Sequence, residues 1–288
     1  MEAKQLLDKK GIFSFLIITF VITYGIHFLL IGSGVSPIVF GLGQYVVAAV
    51  MWVPALATFI TIKFITKEGF AITNIRFGNW KPYLFSGLII PLCFLIIYVL
   101  TYLFGFGAPD WGMNSLRKIF ENGGAQIPEM PSAAATWGGL YFSTLFLAPI
   151  LNTIFGFGEE LGWRGYLLPK LMPLGKTKAY IILGIIWGAW HFPMVWMGFM
   201  YPGYPLLGMV MFTLLTIIFG IYLNELTLKY QSSILAGWLH GVFNSQRLGI
   251  WTLLFPGVNP LFGGFSGLVG LGVWLLLAFI SSRKRHIN

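Results

Sequence analysis

Charged residues are scarce in this chain of 288 residues. Only 9% are Asp, Glu, Lys or Arg, whereas 57% are hydrophobic. A soluble domain of this size carries about a quarter charged residues. The mean hydropathy of +0.81 points in the same direction. This composition argues against a soluble globular domain and predicts an integral membrane protein.

Cysteine is nearly absent, since Cys93 is the single one and lies in an apolar stretch. One cysteine forms neither a disulfide within the chain nor a thiolate metal site. The zinc-protease pattern His-Glu-x-x-His is absent too, so a metal site would need ligands from separate helices.

The net charge of +9 is not gathered into a basic stripe with interleaved aromatics. Nucleic acid is therefore not predicted as a partner.

Eight apolar runs are each long enough, at ~20 residues, to cross a bilayer as a helix. Breaks that contain proline or charge separate them, and no internal repeat is visible. The predicted fold is all-α, a polytopic transmembrane bundle of about eight helices that forms one integral membrane domain, 1–288. We divide it into an N-terminal part (1–136), a catalytic core (137–255) and a last helix with a basic tail (256–288). The predicted spans are 11–32, 40–63, 82–104, 138–168, 178–199, 206–226, 232–254 and 262–281.

Basic residues are distributed unevenly between the spans. They precede the first span and follow the second, fourth, sixth and eighth, whereas the alternate loops hold only Arg117 and Lys118. Cytoplasmic loops are enriched in lysine and arginine. We therefore predict that both termini are cytoplasmic and that 105–136 is the one sizeable loop on the far side.

Five of the ionisable residues inside or beside the later spans need a partner or a purpose, because a charge costs on the order of 2.5 to 3.5 kcal/mol at a helix centre. Residues four apart share a helix face, so Glu160 and Arg164 are expected to pair. The neighbouring Glu159 then points elsewhere and is our candidate for the catalytic carboxylate. The five are Glu159, Glu160, Arg164, His191 and His240.

The expected depth of these side chains follows from the rise per residue. Pro169 disfavours helical geometry at the residue before it, so the fourth helix is predicted to end at Leu168. Glu159 would then lie ~14 Å from that end, His240 ~12 Å deep and His191 ~20 Å deep. We expect the three to converge in the cytoplasmic half of the membrane.

The chemistry expected of this cluster is hydrolysis. A water between Glu159 and His191 would be activated by proton transfer to the carboxylate, or by a divalent metal such as zinc with Glu159, His191 and His240 as ligands. The residues leave both routes open. His240 and Asn244 share a helix face and are suited to stabilising an oxyanion.

Three short strings resemble the signature of the CPBP intramembrane proteases, the family of CAAX-processing endopeptidases and their bacterial relatives linked to bacteriocin processing and self-immunity. The strings are Glu159-Glu160-x-x-x-Arg164, Trp187-x-x-x-His191 and His240-x-x-x-Asn244, with Trp187 where the family pattern has Phe. The resemblance covers roughly residues 140 to 250.

This resemblance implies roles for the individual residues. Glu159 and His191 would activate the water, His240 and Asn244 would form the oxyanion pocket, and Glu160 and Arg164 would support them. It also implies a multi-pass protein of a bacterial cell membrane, with a membrane-associated peptide or protein as substrate.

Two other functions compete with an intramembrane endopeptidase. A non-catalytic membrane scaffold or a bacteriocin self-immunity protein would keep the fold without cutting. An ion-coupled transporter would also use intramembrane carboxylates and histidines, but the chain shows no repeat symmetry. His27, which has no polar companion nearby in the sequence, is interpreted as a packing residue. No oligomeric state is predicted.

Overall fold

The computed structural model describes residues 6–35, 42–122 and 132–283. Within these ranges the chain is helical and contains no strand, which confirms the predicted fold class. Part of the predicted far-side loop, 123–131, lies outside the described residues. So do three of the basic residues that entered the topology prediction, Lys4, Lys284 and Arg285.

Eight of the helices in the described ranges, named α1 to α8, coincide with the eight predicted spans, and the helix Asn114–Asn122 lies outside them. Five of them are long and apolar enough to cross a membrane on their own: α1, α2, α3, α4 and α6. The shorter α5 and α7 are extended by the short helices Phe192–Trp196 and Ile250–Leu254. The bounds are α1 Lys9–Ser33, α2 Gly43–Thr66, α3 Lys81–Leu103, α4 Ala133–Leu174, α5 Lys176–Trp190, α6 Pro205–Tyr230, α7 Ser233–Leu248 and α8 Leu268–Arg283.

Helix α4 runs through Pro169 to Leu174, so the predicted end at Leu168 is wrong. A π-helical segment, Leu161–Leu167, precedes the proline and gives way to α-helical geometry at Leu168. Pro169 therefore occupies the first turn of a new α-helical segment, where its missing N–H costs little. π-helical segments within α-helices are frequent at functional sites. The position of this one directly after Glu160 therefore agrees with a functional site at that point of α4.

One end of the bundle carries most of the basic residues. There Lys170 of α4 contacts Asp8, just before α1, at 2.7 Å and Glu68, just after α2, at 2.5 Å. A cavity at the same end brings Pro82 of α3 and Ser281 of α8 together. The start of α1 and the end of α8 thus lie at one end of the bundle, as an even number of crossings requires. That this end is cytoplasmic stays a prediction.

Glycines bring α4 and α7 into close contact. A Cβ atom on Gly156 would lie 2.9 Å from the carbonyl oxygen of Gly237, and one on Gly241 would lie 2.5 Å from the backbone nitrogen of Thr153. Small residues spaced by four allow such close approach between membrane helices. The residues beside these glycines, Glu159, Glu160 and His240, are therefore held near one another.

A second glycine pair joins α5 to α6. A Cβ atom on Gly184 would lie 2.6 Å from the Cα of Ile217, and one on Gly188 would lie 2.9 Å from the Cα of Thr213. This contact fixes the end of α5, and with it His191, against the core of the bundle.

Candidate active site

A buried ion pair lies at the centre of α4. The Nη1 atom of Arg164 donates to both carboxylate oxygens of Glu160, at 2.9 and 3.0 Å, and both side chains are fully buried. The pairing expected from the i, i+4 spacing is confirmed. Arg164 also donates from Nε to Asn224 of α6 at 3.0 Å, and its guanidinium lies 4.2 Å from the centre of the Trp187 ring.

The same carboxylate contacts α7. Nδ1 of His240 lies 2.8 Å from Oε1 of Glu160. Because a carboxylate accepts hydrogen bonds, Nδ1 of His240 is the donor, and Nε2 is the ring nitrogen left for a ligand. Glu160 therefore orients His240 in addition to neutralising Arg164.

Glu159 has a different partner. Its Oε2 atom accepts a hydrogen bond of 2.9 Å from the indole N–H of Trp187, and the residue is 2% exposed. The backbone carbonyl of the same tryptophan lies 2.9 Å from Nδ1 of His191. Since a carbonyl only accepts, Nδ1 of His191 carries the proton and Nε2 has the free lone pair. Trp187 thus holds both predicted water-activating residues.

A cavity of about 80 Å³ brings the predicted site residues together. Glu159, His191, His240 and Asn244 all line it, so the predicted convergence of α4, α5 and α7 is confirmed. The rest of the wall is mainly methionine and aromatic. A space of this size holds more than one water molecule. The cavity extends toward Val47 and Phe199, which lie away from the basic end; the predicted cytoplasmic position of the site stays a prediction.

The metal route through Glu159, His191 and His240 stays a prediction. Among the residues that the structure describes, no group of three His, Cys, Asp or Glu side chains has the spacing of a metal site. One nitrogen of each histidine is engaged, by Glu160 and by the backbone of Trp187, which leaves Nε2 of each ring for a ligand, as in metal-bound histidines. The candidate set Glu159, His191 and His240 lines one cavity without forming such a group.

Some important partners were not predicted. The bond from the Trp187 indole to Glu159 and the bond from Arg164 to Asn224 do not follow from the sequence pattern. Glu225 is a further ionisable residue inside a predicted span; it pairs with Lys176 and accepts a bond of 3.2 Å from Tyr180. Asn224 and Glu225 are adjacent polar residues in an otherwise apolar run, and this is the sequence feature that could have indicated their buried contacts. His27 is 1% exposed, and neither ring nitrogen has a partner among the described residues.

The comparison with known proteins agrees with this geometry. Residues 133–246 match the family model described as type II CAAX prenyl endopeptidase Rce1-like. All six predicted site residues lie in that range. The similarity to that family therefore covers residues 133–246, about two fifths of the chain. The protein named CAAX prenyl protease 2 of Methanococcus maripaludis is 44% identical to this chain over 64 residues. The match spans 20% of this chain and 22% of that relative.

Proposed function

We propose that this protein is an intramembrane endopeptidase that hydrolyses a peptide bond of a membrane-associated protein or peptide. The observation that carries the proposal is the shared cavity of Glu159, His191, His240 and Asn244 inside a bundle of membrane-spanning helices. A carboxylate, two imidazoles and a carboxamide are the groups that hydrolysis of an amide requires. The family match supports the same reaction class.

In the proposed first step, Glu159 acts as general base. One carboxylate oxygen is engaged by Trp187, and the other takes a proton from a water that Nε2 of His191 orients. The water oxygen bonds to the carbonyl carbon of the substrate, and the carbonyl π electrons move to its oxygen. His191 acts as an acceptor in this step, which matches the tautomer that the carbonyl of Trp187 selects.

The oxyanion formed in that step is stabilised from α7. Nε2 of His240 donates to it when the imidazole is protonated, a state that Glu160 favours from the other side of the ring. The Asn244 side chain supplies a second donor. When the tetrahedral intermediate collapses, the C–N bond breaks, and the proton held by Glu159 passes to the leaving amine. No step is routed through a metal ion.

The test is cleavage of a membrane-tethered reporter peptide by purified protein in lipid nanodiscs, together with a proteomic comparison of membranes that contain native protein or the Glu159→Gln variant. We expect the variant to lose about 10²- to 10⁴-fold in kcat, the range for a general acid or base. Glu68→Gln, which changes a carboxylate far from the cavity, is the matched control and keeps its activity.

Undiminished cleavage by Glu159→Gln would overturn the proposal. A Glu159→Gln variant that cuts nothing but still confers the cellular phenotype would instead favour the non-catalytic scaffold or immunity protein.

A further inference from the structure

The catalytic cavity contains a cation that the proposed mechanism does not use. Arg247 lies on α7 seven residues after His240, which places it about 10 Å further along the helix axis. It lines the same cavity as Glu159 and His191. Its Nε atom is buried without a hydrogen-bond partner, and its guanidinium lies 4.9 Å from the centre of the Phe199 ring.

The contrast with Arg164 is informative. Arg164 is neutralised by Glu160 and bonded to Asn224, whereas none of the ion pairs among the described residues includes Arg247. A buried charge is costly unless it is paired. Arg247 as a whole is half-buried, but its Nε atom is buried without a partner and the residue lines the cavity of Glu159 and His191, so its partner is best sought in a molecule that enters that cavity.

The chemistry of the wall around Arg247 limits what that anion is. A guanidinium presents donors in a planar fork that matches a carboxylate. Phe199, which contacts the guanidinium, is apolar, and the one polar side chain of the lining within a helical turn of Arg247 is the amide of Asn244. A phosphate, with more charge and more oxygens, needs several donors. One planar carboxylate fits this setting better than a lipid headgroup.

We propose that Arg247 is a specificity-determining residue that binds a carboxylate of the substrate peptide, about 10 Å along α7 from His240. The carboxylate is that of an acidic side chain or of the peptide's carboxyl terminus. This inference rests on the proposed function, because a peptide that reaches Glu159 brings its own carboxylate to Arg247. Peptides lacking a carboxylate at that distance bind poorly.

The first test uses the unaltered protein in nanodiscs of zwitterionic lipid. Reporter peptides are made in pairs that differ only in one carboxylate: a free carboxyl terminus against its amide, and Glu against Gln at successive positions on each side of the cleaved bond. We expect at least a tenfold preference for the acid at one position, expressed mainly in KM. Equal cleavage of both members of every pair overturns the inference.

The second test assigns the preference to Arg247. Arg247→Gln is expected to cleave both members of the best pair at rates within twofold, and Arg247→Lys to keep part of the preference because it retains the charge. Arg117→Gln removes an exposed arginine outside the cavity and is the control; it keeps the full preference. An Arg247→Gln protein that still prefers the acid tenfold contradicts the assignment. If Arg247→Gln does not fold, Arg247→Lys serves as the test. Lysine cannot form the two parallel hydrogen bonds that a guanidinium makes to a carboxylate, so an undiminished preference for the acid over the amide in Arg247→Lys contradicts the assignment.

Two further measurements separate the possible outcomes. Binding of the same pairs to the Glu159→Gln protein reports Arg247 without turnover. Acid-selective binding with no cleavage by the native protein defeats the proposed function and leaves the role of Arg247 intact. Cleavage without acid selectivity defeats only that role.

Nanodiscs that contain phosphatidylglycerol test whether Arg247 binds a lipid phosphate instead. In that case the anionic lipid inhibits the native protein but not Arg247→Gln, and acid and amide peptides are cleaved equally in zwitterionic lipid. This result assigns the site to lipid phosphate and overturns the inference.

Discussion

His240 and Glu160 lie 80 residues apart in the chain, and Nδ1 of the imidazole is 2.8 Å from the carboxylate. Because the same carboxylate accepts two bonds from Arg164, one buried acid serves two basic side chains on two helices. The adjacent Glu159 accepts one bond from a neutral indole. The two neighbouring glutamates therefore have different partners, which agrees with the roles we propose for them, structural support for Glu160 and proton transfer for Glu159.

The first prediction is that Glu160→Gln destabilises the protein and Glu159→Gln does not. The Glu160 change leaves the Arg164 guanidinium buried without its counter-charge, and breaking a buried pair in this way costs about 3 to 5 kcal/mol. The amide of Glu159→Gln still accepts the Trp187 N–H. Thermal unfolding in detergent measures the difference, and equal melting temperatures for the two variants would contradict it.

The second prediction concerns the indole N–H. Trp187→Phe keeps an aromatic ring beside Arg164 and removes the donor to Glu159. A hydrogen bond to a charged group contributes about 1.5 to 3 kcal/mol, so kcat is expected to fall about 10- to 100-fold with little change in KM. Trp196→Phe, at a residue that is 58% exposed, is the control. A wild-type kcat in Trp187→Phe would show that the bond does not orient the base.

Hydropathy predicted the helices well because lipid imposes a physical requirement of about twenty apolar residues on each crossing. The Glu160–Arg164 pair was also predictable, because residues four apart in one helix lie on the same face. The contact between Glu160 and His240 was not predictable, because it depends on how α4 and α7 are rotated against each other at Gly156 and Gly241. The rule applied at Pro169 failed because it states only a local preference against helical angles before proline, and Leu168 has those angles here, φ −56° and ψ −52°.

The third prediction tests the side of the membrane. In a Cys93→Ala background, single cysteines replace Trp111, which is 62% exposed at the far end, or Lys81 at the start of α3. The positive-inside rule predicts that a membrane-impermeant maleimide labels Trp111→Cys in intact cells and Lys81→Cys only after permeabilisation. The reverse pattern would place the basic end outside.

The fourth prediction concerns metal dependence. Since the described His and Glu side chains form no three-ligand group, we expect prolonged dialysis against a chelator to leave cleavage within twofold of the untreated rate. The melting temperature is measured alongside, since a structural metal would lower it on removal. A loss of activity restored by adding back zinc would instead assign Glu159, His191 and His240 as ligands that move together.

The fifth prediction tests whether glycine packing holds the site together. In Gly241→Ala the new methyl group meets the backbone of Thr153 at 2.5 Å, so α4 and α7 must separate or strain, at about 1 to 3 kcal/mol. Glu160 and His240 stand on either side of that contact, and their separation is expected to lower kcat beyond what stability explains. Gly272→Ala is the matched control, because nothing lies within 4 Å of its new methyl group. If Gly241→Ala keeps full activity at a temperature where it is folded, the close contact serves stability alone, and the position of His240 is determined by its bond to Glu160.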